Sequence, residues 1–175
     1  MHARDANATF TTIHTDGACL GNPGPGGYGV VIAHRGARRE LSAGFRRTTN
    51  NRMELLAAIV GLECFDARTA IVLYSDSRYL VDAVEKGWAR KWRANRWMRN
   101  PREAAVNPDL WERMLALVER HDVSLRWVRG HAGNRENERC DVLATGAARG
   151  AQLEIDVGYE QVGVARAAQR ELFRD

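Results

Sequence analysis

No stretch of the 175 residues stays apolar long enough to build a membrane-spanning helix, which excludes an integral helical membrane protein. The leader Met1-His2-Ala3-Arg4-Asp5-Ala6-Asn7 lacks the apolar run of a signal peptide, so the protein is expected to stay where it is made, as a self-contained chain. Cysteine is scarce: Cys19, Cys64 and Cys140 are widely separated and show no paired spacing. An odd, scattered set argues against a disulfide framework and against a zinc site, and fits a reducing cytoplasm. No internal repeat or low-complexity linker is visible, and 19.6 kDa at 45% hydrophobic content suits one domain with a full core. Acids are missing from one place in particular. Between residues 86 and 102 there are seven Lys or Arg and no Asp or Glu; since the whole chain is only +4, the rest of it carries −3. The excess is therefore one patch, and it implies a polyanionic partner at one face.

What is present reads as a mixed α/β protein. Thr11–Cys19 has the β-branched content of a strand, and its acid, Asp16, runs toward a glycine-dense bend at residues 21–27. Residues 28–34 and 38–45 read as the next two strands, joined by a turn at Arg35-Gly36-Ala37. A helix opens at Asn50-Asn51-Arg52-Met53-Glu54 and runs to about Phe65, apolar nearly all round and so buried on several sides. Residues 69–75 form a continuous apolar run, expected of a central strand covered on both faces. A helix follows from Ser75-Asp76-Ser77 to about Lys86, and another begins at Asn107-Pro108-Asp109. A last strand at 124–128, a polar loop at 129–134 and a helix at 136–149 complete the pattern. This order predicts a mixed five-stranded sheet, with three antiparallel leading strands, flanked by helices. Residues 151–175 fall outside it as a tail, with an extended piece at 153–159 and a weakly amphipathic helix at 164–173.

Four acids stand out. Asp16 and Asp76 follow strands, Glu54 is in the first turn of the buried helix, and Asp141 lies in the last helix. Each has an ordinary explanation. Asp16 would suit a turn, Glu54 could complete a capping box with Asn51, Asp76 could cap the next helix, and Asp141 could be a solvated residue beside Arg139. The set is harder to dismiss, because strand ends in such sheets share the edge where ligands bind. Carboxylates gathered there repel one another unless a cation offsets them, and hard oxygen ligands suit Mg²⁺ or Mn²⁺. Two such ions are the usual arrangement for in-line displacement at phosphorus. The ordinary readings explain each residue; a metal site explains all four.

The residues 16–27 (Asp16-Gly17-Ala18-Cys19 through Gly26-Gly27) and Thr48-Thr49-Asn50-Asn51-Arg52-Met53-Glu54 closely resemble the type 1 ribonuclease H family. So do Ser75-Asp76-Ser77, Trp127-Val128-Arg129-Gly130-His131-Ala132-Gly133 and Glu136-Asn137-Glu138-Arg139-Cys140-Asp141, in the same order. The resemblance covers residues 9–150 and is strongest to bacterial members with a basic insertion. It implies a ribonuclease H-like fold, with residues 1–150 as the catalytic domain and 86–102 as a handle-like protrusion. It implies that Asp16, Glu54, Asp76 and Asp141 bind two Mg²⁺ ions, with Mn²⁺ as a substitute. The reaction implied is endonucleolytic hydrolysis of the RNA strand of an RNA–DNA hybrid, leaving 5′-phosphate and 3′-hydroxyl ends. His131, by itself an ordinary loop histidine, matches the family's proton-transfer residue, and flanking glycines would let it swing.

Recognition of RNA requires sensing the 2′-hydroxyl from the shallow minor groove. Cys19, Asn22, Asn50 and Asn51 match family positions that do this, although turn and cap chemistry accounts equally well for Asn22 and Asn51. Thr49 matches a position that grips a phosphate of the DNA strand. Arg78 stands where close relatives often carry a glutamine that contacts the hybrid, so here a phosphate contact is the alternative. In the protrusion, Trp88, Arg90, Lys91 and Arg93 are the expected substrate contacts, while Trp92 or Trp97 would form the small core holding it in place. Two rival readings are a hybrid-binding module that does not cut, and a DNA-acting nuclease or recombinase of the same broad fold. The four clustered acids and His131 argue against the first, and the Asn50-Asn51 pair with the Cys19 and Asn22 turn against the second. The chain is expected to work as a cytoplasmic monomer.

Overall fold

The computed structural model describes residues 10–162. Its leading strands are β1 (Thr11–Cys19), β2 (Gly24–His34) and β3 (Ala37–Thr48), followed by α1 (Asn50–Glu63) and β4 (Ala70–Ser75). Next come α2 (Arg78–Glu85), α3 (Trp88–Ala94) and a small hairpin of β5 (Met98–Asn100) with β6 (Glu103–Ala104). The chain continues through α4 (Pro108–Arg120), β7 (Asp122–Trp127), α5 (Arg135–Ala148) and β8 (Leu153–Glu154). Among the described residues no helix is long and apolar enough to cross a membrane.

The main sheet runs β7-β4-β1-β2-β3-β8. β1, β2 and β3 pair antiparallel as expected, whereas β1–β4, β4–β7 and β3–β8 are parallel. The sheet therefore has six strands rather than five. The extra one comes from the tail, where Leu153 and Glu154 pair with Gly44 and Phe45, a two-residue strand too short for any periodic signal. The extended piece expected at 153–159 shrinks to this pair, and the helix expected at 164–173 lies outside the described residues.

Three local readings need correction. The glycine-dense bend is half strand: β2 begins at Gly24 and carries Gly26, Gly27 and Gly29 into the sheet. A Cβ at Gly29 would press on the backbone of Cys140 and Ala144, and one at Gly27 on that of Ala144 and Ala148, so these glycines let α5 lie close on the sheet. β4 is not covered equally on both faces; its burial alternates, with Ile71 and Leu73 inside and Val72 and Tyr74 half-exposed. At α1 the cap is Thr49, whose hydroxyl accepts from the Arg52 amide at 3.4 Å. Glu54 consequently sits beyond the first turn and completes no capping box with Asn51. α1 is buried all round as its sequence predicts, with Leu55, Ala58, Ile59 and Leu62 wholly inside. Around it pack Ile13, Val30, Leu73 and, from α4, Trp111 and Met114.

Candidate active site

Sheet register brings the first two acids together. Thr15 pairs with Ser75 across the parallel β1–β4 ladder, so Asp16 and Asp76 each follow directly on a paired residue. Asp16 lies inside β1, which runs on to Cys19, rather than at its end; Asp76 follows β4 as expected. Glu54 arrives from α1, which crosses β1 at Gly17. A Cβ on Gly17 would meet the backbone of Met53 and Glu54, so only glycine permits this approach. Carboxylate oxygens of Asp16, Glu54 and Asp76 all lie within 4.8 Å of one another.

The fourth acid, Asp141, lies outside that group. α5 is seated by Cys140, which is fully buried and donates through Sγ to the His14 carbonyl at 3.1 Å. This sets Asp141 near enough for its charge to act on Asp16, while its Oδ1 accepts from the Thr145 hydroxyl at 3.4 Å.

The electrostatics of the group are unbalanced. Asp16 is 6% exposed and Glu54 5%, and neither has a Lys or Arg partner among the described residues. Burial, followed by the charges of Asp76 and Asp141, pushes the Asp16 carboxyl up to about 7. Burial, then Asp16 and Asp76, holds Glu54 well above the usual carboxylate range. Glu54 Oε2 is buried without any hydrogen-bond partner. An orphaned carboxylate oxygen facing two further carboxylates is a donor set that suits a hard divalent cation. The residues present therefore fit the metal that the spacing of the acids implied.

Around Asp76 the structure adds groups that spacing did not reveal. Asn137 of α5 is 2% exposed and donates through Nδ2 to Asp76 Oδ2 at 3.4 Å. Gly130 passes so near the same oxygen that any side chain there would collide with it. The Trp127 indole donates to the Asp76 carbonyl at 2.9 Å, and the Arg78 guanidinium stacks 3.8 Å above its ring. Asn137, Gly130 and Trp127 all lie within the motif blocks, but only the folded register shows that they surround Asp76. His131 is exposed with φ of +52° in the loop between β7 and α5.

The other expected contacts fall into two groups. Asn22 Oδ1 accepts from the Asn50 amide at 3.2 Å, joining the β1–β2 turn to the start of α1. Cys19 Sγ lies 3.6 Å from the Gly24 and Thr48 carbonyls, so Cys19, Asn22, Thr49, Asn50 and Asn51 form one neighbourhood. In the protrusion, Arg90 and Lys91 are exposed, and Trp88 is covered on one side by the Lys86 amino group at 5.1 Å. Arg93 instead pairs with Glu119 of α4 at 2.5 Å, with Glu112 at 3.8 Å. Trp92 is buried against Tyr79 and Trp111, with ring centroids 6.2 and 5.8 Å away, and is the core that holds the protrusion.

The sequence profile of the RNase H family matches residues 8–149. The chain is 62% identical over 154 residues to "Ribonuclease H" of Desulforamulus reducens, covering 88% of this chain and 97% of that one. It is 56% identical over 149 residues to "Ribonuclease HI" of Synechocystis, covering 85% and 93%. Among solved structures, LC9-RNase H1, described as a type 1 RNase H with the type 2 active-site motif, superposes with a TM-score of 0.72 at 35% identity, over 95% of this chain and 87% of that one. LC11-RNase H1 in complex with RNA/DNA hybrid shares the fold, with a TM-score of 0.61 at 23% identity over 79% and 96%. The chain belongs to the RNase H family and, within it, to the type 1 enzymes. It is accordingly a ribonuclease H, a phosphodiester hydrolase.

Proposed function

We propose that this chain cuts the RNA strand of RNA–DNA hybrids endonucleolytically, by a two-metal mechanism that leaves 5′-phosphate and 3′-hydroxyl ends. The observation that carries this reading is the trio of buried Asp16 and Glu54 with half-buried Asp76, uncompensated among the described residues, with Glu54 Oε2 unpartnered. Asp16, Glu54, Asp76 and Asp141 are the residues that would hold two Mg²⁺ ions, or Mn²⁺ in their place. When bound, the ions activate the attacking water and offset charge on the leaving 3′-oxygen.

The chain's own groups then have defined tasks. Asn137 orients Asp76 by its hydrogen bond, and the bare backbone of Gly130 leaves room for that carboxylate. His131, exposed on its loop, takes up or returns the proton that moves as water adds to phosphorus and the P–O3′ bond breaks. Cys19, Asn22, Asn50 and Asn51 read the minor groove, and Thr49 holds a phosphate of the DNA strand. Arg78, flattened on Trp127 beside Asp76, offers a cation to a neighbouring phosphate. Trp88, Arg90, Lys91 and Arg93 belong to the protrusion (86–102), which grips the backbone without regard to sequence. Residues 1–150 make up the catalytic domain and 151–175 the tail, and the enzyme works as a monomer in the cytoplasm.

The test is cleavage of strand-labelled RNA–DNA hybrid, double-stranded RNA and double-stranded DNA, with Mg²⁺ and with chelator, for wild type and Asp16→Asn. Metal-dependent cutting of the hybrid's RNA strand alone, lost in the variant, is the expected result. Tight hybrid binding without cutting in Mg²⁺ or Mn²⁺ would sink the reading and leave a binding module. Cutting of double-stranded DNA would favour the DNA-acting alternative.

A further inference from the structure

The segment that contacts the hybrid in the reading above is bracketed by two residues bound to one buried acid of the tail. Asp156, 6% exposed, accepts from the Thr48 hydroxyl at 2.6 Å on Oδ2. It also receives a two-pronged bond from the Arg52 guanidinium, Nε to Oδ2 at 2.7 Å and Nη2 to Oδ1 at 2.8 Å. Thr48 directly precedes Thr49, and Arg52 directly follows Asn51. The Arg52 amide is moreover the donor that the Thr49 hydroxyl caps. One carboxylate thus anchors both ends of Thr49-Asn50-Asn51.

The same guanidinium reaches further. Arg52 Nη1 and Nη2 bond Asp109 at 3.0 and 2.8 Å, at the start of α4, where the chain leaves the basic protrusion. Arg52 is 3% exposed and Asp156 6%, so their two-pronged bond lies away from water and fixes angle as well as distance, while Asp109 meets the same guanidinium from the surface. The tail is itself pinned: Leu153 and Glu154 pair with β3, the Tyr159 amide bonds Asp156 Oδ1 at 3.2 Å, and Arg46 bonds Glu160 at 2.9 and 2.7 Å. Gly158 closes over the network, since a Cβ there would run into Asp109 and the Arg52 guanidinium.

A buried ion pair of this kind contributes little net stability but strongly restricts geometry. We infer that Asp156 is a positioning residue for hybrid binding, holding Thr49–Asn51 and, through Arg52, the base of the protrusion in the orientation that grips the substrate. The inference rests on the reading of Thr49–Asn51 as hybrid contacts, and the experiment separates the two.

Hybrid affinity is measured in the Asp16→Asn background for Thr49→Ala, Asp156→Asn, Gly158→Ala and the Thr49→Ala/Asp156→Asn double variant. KM and kcat are measured in the active enzyme, well below each melting temperature. Each single change is expected to weaken binding about tenfold, with KM raised and kcat within about twofold of wild type. The double variant should lose less than the product of the two single losses, because Asp156 acts partly through the Thr49 contact. Gly158→Ala leaves every charge in place and gives the same readout if Asp156→Asn folds poorly. Unchanged affinity in Thr49→Ala would overturn the hybrid-contact reading itself. A working Thr49 contact, with Asp156→Asn and Gly158→Ala lowering only the melting temperature, would overturn the inference alone. So would a double variant whose losses multiply to about a hundredfold.

Discussion

Two buried ionic clusters sit two residues apart on α1, and they follow opposite rules. At Arg52 a cation meets two acids, one of which also accepts from the Thr48 hydroxyl, and its hydrogen bonds close within the protein. At Glu54 three acids meet with no cation among the described residues, and one oxygen has no partner. Arg52 and Glu54 themselves are about equally covered, 3% against 5% exposed, although Asp109 opens its end of the first cluster to water. The difference is compensation. A fully paired cluster holds geometry, whereas an unpaired one is left for a charge brought from outside.

The sharpest way to break this contrast is to remove a charge from each side. Asp76→Asn should lower hydrolysis of labelled hybrid by at least about a thousandfold while hybrid binding persists, because the lost group acts on the transition state. At the other cluster, Arg52→Met leaves Asp156 buried without its cation and should cost roughly 3–5 kcal/mol in urea unfolding. Asp16→Asn should do the reverse in chelator at pH 8, raising stability by about 1–3 kcal/mol, since it removes a buried repelling charge.

The pH dependence follows from the raised Asp16 and Glu54 carboxyls. Between the ordinary carboxylate range near 4 and about 7, the unfolded chain has lost these protons while the folded chain keeps them. The unfolded state then binds fewer protons, so metal-free stability must fall as pH rises through that window. Urea unfolding of the chelated protein at pH 5 and pH 8 should show the fall, and Asp16→Asn should flatten it. A smaller effect contrasts two cations of the protrusion. Lys91→Gln should reduce the slope of log affinity against log salt by about one, and Arg93→Gln by less, because Glu119 already holds Arg93.

Much of this was legible in the sequence. The convergence of Asp16, Glu54 and Asp76, most of the order of elements and the antiparallel leading strands follow from motif and periodicity, because α1 and the leading strands bury faces their patterns announce. By contrast, β4 buries mainly one face, and nothing in the pattern announces the β5–β6 hairpin. The glycines of β2 were harder. A run of glycine looks like a bend, and only the seat of α5 on Gly27 and Gly29 shows that close packing is their purpose. Asn137 and Asp156 were invisible for a related reason: each acts on a residue 61 or more positions away, and spacing within a single chain carries no trace of such a partner. Arg52 stood in a recognised block, yet nothing local says that its charge is buried. Asp141 shares the motif pattern of the other acids, yet it lies outside the 4.8 Å trio, which no spacing shows.

The β1–β4 ladder carries a genetic consequence. Asp16 and Asp76 are neighbours only because Thr15 stands beside Ser75, and successive residues of a strand face opposite ways. A slip of one residue would turn one acid away from the other without altering either. Inactivating alleles should therefore arise at Ile71 and Leu73, whose buried side chains lock that register, as well as at the acids themselves.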